Sequence, residues 1–236
     1  MAEPVVAIHQ PNFLPWLGYF DKLARADFFV LLDDVQFPKK GGTWVNRVRM
    51  LTGGGEAGWA TVPVDRSYHG VRAINEMRID DSRPWRQKLL TTIRTSYAKS
   101  PAFAEVFPLA ERLLENSGPE LAVLNENAIR VIADSIGLKE TKLVRSSELE
   151  TTGHATDLLI EIVAALGGGV YLCGAGSEEY LEPPKFEQAG IDLRMQEFRH
   201  PGYAQRGDEF VEGLSVLDAL MSCGFSGVRE LLEAEA

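Results

Sequence analysis

The chain alternates short, wholly apolar runs with stretches that repeat apolar residues every three or four positions. Residues 5–8 are apolar and β-branched, the pattern of a buried strand. Residues 17–26 put Leu17, Phe20, Leu23 and Ala24 on one face at helical spacing. Residues 28–32 are again continuously apolar, as in a strand covered on both faces. Strand, helix and strand make a βαβ unit, whose crossover is right-handed in nearly all cases. Residues 43–50 and 58–64 predict a hairpin across LTGGGE, and residues 74–79 a short strand. Residues 85–97, 103–116 and 121–136 predict three helices, broken at Ser117-Gly118-Pro119 and stopped by Gly137. Then follow a strand at 141–145, a helix at 157–166 ended by three glycines, and strands at 170–173 and 191–198 joined through a loop. A last helix at 215–223 is stopped by Gly224.

This order predicts an α/β protein: a mostly parallel, Rossmann-like sheet with flanking helices, and a helical insert or subdomain over residues 82–137. A length of 236 residues fits one sizeable domain. The net charge of −10 argues against a nucleic-acid partner held by phosphate contacts. No apolar run reaches the roughly 18 residues that span a bilayer, so no membrane role is expected. The two cysteines, Cys173 and Cys223, form neither a metal spacing nor a disulfide framework. With no signal-peptide pattern, a cytoplasmic location is the simplest expectation.

In open parallel sheets ligands bind beyond the carboxyl ends of the strands. His9, Gln10 and Asn12 fall at one such end, and Asp33, Asp34 and Gln36 at the next. His9 is a candidate general acid or base, with Pro11 and Pro15 stiffening its loop. Asp33 and Asp34 are candidates to orient it or to bind an ammonium group; on an extended chain only one of them faces a given site. Lys40, beside two glycines, could meet a phosphate. In TWVNRVRM, Asn46 and Arg47 read as ligand groups and Arg49 as surface charge. Ser146 follows a strand and offers a hydroxyl, although turn capping is the commoner job. In YLCGAGSEEYLEP, Gly174 opens a loop whose backbone N–H groups suit an anion, and Tyr180 lies in the same loop. Cys173 reads as buried rather than nucleophilic. FRHPGYAQ adds His200 as an alternative acid–base group, with Tyr203 and Gln205. His69 and His154 sit in turn contexts, and no metal ligand set is evident. A P-loop motif is missing.

These residues carry a resemblance. IHQPNFLPWLGYFDKL, FFVLLDDVQF, WVNRVRM, WATVPV, SSEL, YLCGAGSEEYL, FRHPGYAQ and LSVLDALMSCG together resemble the WbqC-like protein family, nearly end to end, as one domain over residues 1–236. Members of that family occur in bacterial gene sets for surface polysaccharides and natural products, often beside amino-sugar enzymes. The resemblance implies attachment of an acyl or aminoacyl group to an amine, with acyl-coenzyme A or an acyl-carrier protein as candidate donor and no resident cofactor. A weaker, fold-level resemblance links Trp16-Leu17-Gly18-Tyr19 to the His-x-Gly-His of HIGH-type nucleotidylyltransferases. It implies a HUP-like scaffold, with Trp16 and Tyr19 as substrate-binding residues and Gly18 allowing close backbone approach. Trp and Tyr stabilise charge developing on phosphate poorly, so nucleotide or adenylate chemistry on such a scaffold stands as the alternative to the transferase, beside a non-catalytic binding role in the same pathway.

Overall fold

The computed structural model describes residues 3–53, 55–115, 118–174, 181–207 and 209–234. Its strands are β1 (Val5–His9), β2 (Phe28–Leu31), β3 (Arg47–Leu51), β4 (Ala57–Thr61), β5 (Lys142–Arg145), β6 (Val170–Cys173) and β7 (Asp192–Met195). Its α-helices are α1 (Leu17–Ala24), α2 (Trp85–Tyr97), α3 (Phe103–Leu114), α4 (Leu121–Ser135), α5 (Thr156–Ala165), α6 (Pro183–Gln188) and α7 (Val216–Ala234). Five strands form one sheet in the order β5-β2-β1-β6-β7. All four pairings are parallel. Chain order reverses between β1 and β6, which makes their carboxyl ends the topological switch point of a Rossmann-like sheet. β3 and β4 form the separate antiparallel hairpin that the sequence predicts.

Alternate strand residues serve two cores. Val6, Ile8, Val30, Tyr171 and Cys173 pack with Ile162, Val163 and Phe186 on the α5–α6 side. Ala7, Phe29, Leu31 and Leu172 join the larger core of α1, α2, α3, α4 and α7. Burial on both faces is why these strands read as unbroken apolar runs.

Three expectations need correction. Residues 74–79 do not make a strand: Ile74–Glu76 is a 3-10 turn. Glu76 Oε2 accepts the Ala73 N–H at 2.8 Å, and Ile74 N–H donates to Val35 C=O at 3.0 Å, which together favour the turn. The stretch between β6 and β7 is not a loop throughout. It includes α6, whose two prolines occupy the first helical positions, where a missing N–H costs nothing. Phe186 then stacks on Tyr171 at 5.4 Å. Gly224, at φ 72°, breaks the last helix without ending it. Helix resumes beyond it because Val228 and Leu232 share a buried face. A smaller shift concerns β3, which begins at Arg47 because Asn46 and Arg47 donate their N–H groups back to Thr43 C=O.

Candidate functional site

The loop after β1 is held from three directions. Asn125 of α4 is fully buried, and its Nδ2 donates to Pro11 C=O at 2.8 Å and to Val45 C=O at 2.7 Å. Ser215 Oγ donates to Leu14 C=O at 2.8 Å. Phe13 N–H donates to Trp44 C=O at 2.8 Å. These ties hold Leu14 at φ 41°, a conformation that costs a non-glycine residue about 1–3 kcal/mol. Asn12 is buried in the same loop. The result is a rigid ledge at the switch point.

His9 and Gln10 stand on that ledge. His9 Nδ1 lies 3.1 Å from Gln10 C=O. A carbonyl only accepts, so Nδ1 carries the proton and the neutral ring keeps its acceptor lone pair on Nε2. Tyr19 packs edge-on against the imidazole at 4.7 Å, and its hydroxyl donates to the same Gln10 carbonyl at 3.2 Å. Burial pushes the His9 pKa down to about 3, and the charge of Lys22 adds to the effect. The imidazole is therefore uncharged at neutral pH.

Lys22 is a residue that sequence reasoning missed. It sits three positions after Tyr19 on the same face of α1, and that spacing is the signal that could have found it. Only 3% of it is exposed, and its Nζ donates to Ile8 C=O at 2.9 Å. Burial lowers its pKa to about 8, against an opposing pull from Cys173. A Cβ added at Gly174 would lie 3.9 Å from this ammonium, so Lys22 bridges beneath the ends of β1 and β6. The structure thus gathers His9, Gln10, Tyr19, Lys22 and Gly174. Tyr180 lies outside the described residues. The Cys173 sulfur is fully enclosed among Arg194 C=O and Met195 Sδ.

Asp33 and Asp34 sit one strand away and face different surroundings. Asp33 is 3% exposed and accepts from Ser147 N–H at 3.0 Å and Ser147 Oγ at 2.9 Å. Asp34 is exposed, and its Oδ1 lies 2.6 Å from Ser146 Oγ, which also reaches Asp33 Oδ1 and Leu31 C=O at 3.2 Å. These contacts stitch the end of β2 to the end of β5. Gln36 bridges to Ala73 through its backbone and is exposed, as is Lys40. Asn46 is buried with its amide spent on Thr43 N–H and Val62 C=O. Arg47 lays its guanidinium 4.1 Å from the Trp59 ring.

The FRHPGYAQ segment forms an aromatic wall. His200 stacks with Trp16 at 6.5 Å and meets Phe210 edge-on at 5.4 Å. Its Nδ1 lies 3.0 Å from Pro201 C=O. Tyr203 Oη and Gln205 Nε2 donate to Asp218 Oδ2 at 2.8 and 2.7 Å. Asp218 is wholly buried, and burial raises its pKa despite those bonds. The pattern LSVLD, with a capping serine three residues before the aspartate, was the available signal for Asp218.

Trp16 decides what the start of α1 can accept. Its ring lies across Gly18, so that a Cβ there would be 2.4 Å from the indole. The glycine makes room for this chain's own tryptophan, whose ring takes the space that close approach of a ligand to this backbone would need. Propensity alone would make Gly18→Ala stabilising by about 1 kcal/mol in a helix. The clash reverses the sign: we expect a loss of about 1–3 kcal/mol in urea unfolding. A stabilised variant would show that the indole does not rest there.

Comparison with known proteins adds a family. The family model described as "WbqC-like protein family" matches residues 10–230. "Uncharacterized protein Rv1507c" of Mycobacterium tuberculosis (strain ATCC 25618 / H37Rv) is 30% identical over 223 residues, 93% of this chain and 94% of that protein. No solved structure matches.

Proposed function

The chain belongs to the WbqC-like protein family, and from that premise we propose that it is a transferase. It moves an acyl or aminoacyl group from a thioester donor, on coenzyme A or a carrier protein, to an amine such as that of an amino-sugar nucleotide. One observation carries this reading: an uncharged imidazole acceptor stands beside a buried ammonium at the switch point of the sheet. In the reaction the amine nitrogen bonds to the thioester carbonyl carbon, the C–S bond breaks, and the amine proton leaves with the thiolate. His9 Nε2 accepts the hydrogen bond of the attacking amine and passes its proton on. The positive field of Lys22 stabilises the oxyanion of the tetrahedral intermediate. As that negative charge develops it offsets Lys22, the smaller of the two effects that depress His9, and so raises its basicity in part.

Direct transfer fits a Cys173 sulfur that is enclosed and faces the α5–α6 layer. Nucleotidyl transfer is disfavoured by the Trp16 ring over Gly18. Asp33, Asp34, Ser146 and Asn46 serve in this reading to position the crevice walls, while Gln10, Trp16, His200 and Tyr203 line the approach.

The test is mass spectrometry of amino-sugar nucleotides incubated with acyl-thioesters and the protein. A product heavier by the acyl group is expected. His9→Ala should lower kcat/KM by about 10²–10⁴ without unfolding the protein. Exchange of pyrophosphate with ATP, or undiminished transfer by His9→Ala, would sink the proposal.

A further inference from the structure

An apolar cavity of about 520 Å³ lies away from the switch point, between the β3–β4 hairpin and the first turns of α2. That volume falls inside the range of small-molecule pockets, about 300–1,000 Å³. Its floor is Met50, Ala60, Trp85 and Leu89, all buried. The Trp85 indole N–H is already spent on Asp81 Oδ1 at 2.7 Å, so the ring offers only apolar surface.

The mouth is different in kind. Trp59 lines it while remaining 50% exposed, and Trp44, 44% exposed, leans on it at 5.4 Å. Even with Arg47 4.1 Å from its ring, a half-exposed Trp59 at the lip of an apolar cavity is surface that a ligand would cover. Arg83 and Lys88 also line the cavity and are exposed. Neighbouring arginines are engaged: Arg78 pairs with Glu120, Arg86 with Asp81, and Arg94 with Glu111. Among the described residues neither Arg83 nor Lys88 has such an ion pair, although Asp80 feels the charge of Arg83. In a chain of net charge −10, two cations without ion pairs at an apolar mouth select for an anionic head on an apolar body.

We propose that this cavity binds an aliphatic carboxylate, its chain against Met50, Trp85 and Leu89 and its carboxylate between Arg83 and Lys88. The inference does not depend on the transferase reading. Isothermal titration of the whole protein with octanoate, octan-1-ol and octylammonium tests it. Octanoate should bind about tenfold more tightly than octanol, and octylammonium more weakly than both. Charge reversal by Arg83→Glu with Lys88→Glu should weaken octanoate at least about tenfold and leave octanol within about twofold. Thr92→Trp, which fills the cavity from α2, should remove both. Circular dichroism confirms that each variant is folded. No binding of octanoate at about 10 mM would overturn the site. Equal binding of all three probes, or octanoate binding that ignores the charge reversal, would overturn the anion assignment.

Discussion

Acidification from pH 6.5 towards pH 3 is expected to destabilise the fold through His9 alone, by up to about 5 kcal/mol. The folded-state pKa is about 3, below the ordinary 6.5. In that window the unfolded chain takes up a proton that the folded ring refuses, so stability falls as pH falls. Above pH 6.5 both states are neutral at this site and it contributes no slope; below about pH 3 both are charged and the loss levels off. His9 as a whole is half-buried, so solvent screens part of this effect. His9→Asn removes the titration and keeps a donor at the Nδ1 position for the Gln10 carbonyl. Urea unfolding at intervals from pH 3 to 7 should give a flatter profile for the variant than for the parent protein. Superimposable profiles would mean that folding does not depress the His9 pKa, so that the ring titrates at its ordinary value rather than near 3.

Asp33→Ala should cost about 1.5–3 kcal/mol, since bonds to a charged acceptor contribute roughly 1.5–3 kcal/mol each while water can reach the exposed Ser147 once the carboxylate is gone. The carboxylate takes both the N–H and the hydroxyl of Ser147, across 114 residues of chain. Removing it loosens the end of β2 against the end of β5. Asp33→Asn keeps one acceptor and should lose roughly half as much. A loss below about 1 kcal/mol for the alanine variant would show that the clamp is not what holds these strand ends. Activity separates this role from a direct one: a clamp lowers turnover in proportion to the folded fraction, whereas a group touching substrate lowers it in fully folded protein.

Much of the architecture could be read from spacing. The apolar runs of β1, β2 and β6 stand out because both faces of the sheet are covered, and helical periodicity places α2 at its observed bounds. Errors fell where a local signal has two meanings. Paired prolines suggest a loop, yet Pro183 and Pro184 open α6. Gly224 suggests a stop, yet its backbone bends between two stretches of helix that share a buried face.

By itself the sequence determined the kinds of elements, their order, and the gathering of polar residues at one edge of a parallel sheet. Those properties follow from periodicity and from the handedness of the crossover, which need only neighbouring residues. Only the tertiary structure decided which polar groups are consumed and which remain for a ligand. Asp33 is taken by Ser147, and the space over Gly18 by Trp16. Lys22, marked in sequence only by its spacing from Tyr19, becomes a buried charge because α1 lies against the ends of β1 and β6. Burial and hydrogen-bond partnership are set by contacts between segments far apart in the chain, and no local pattern encodes them.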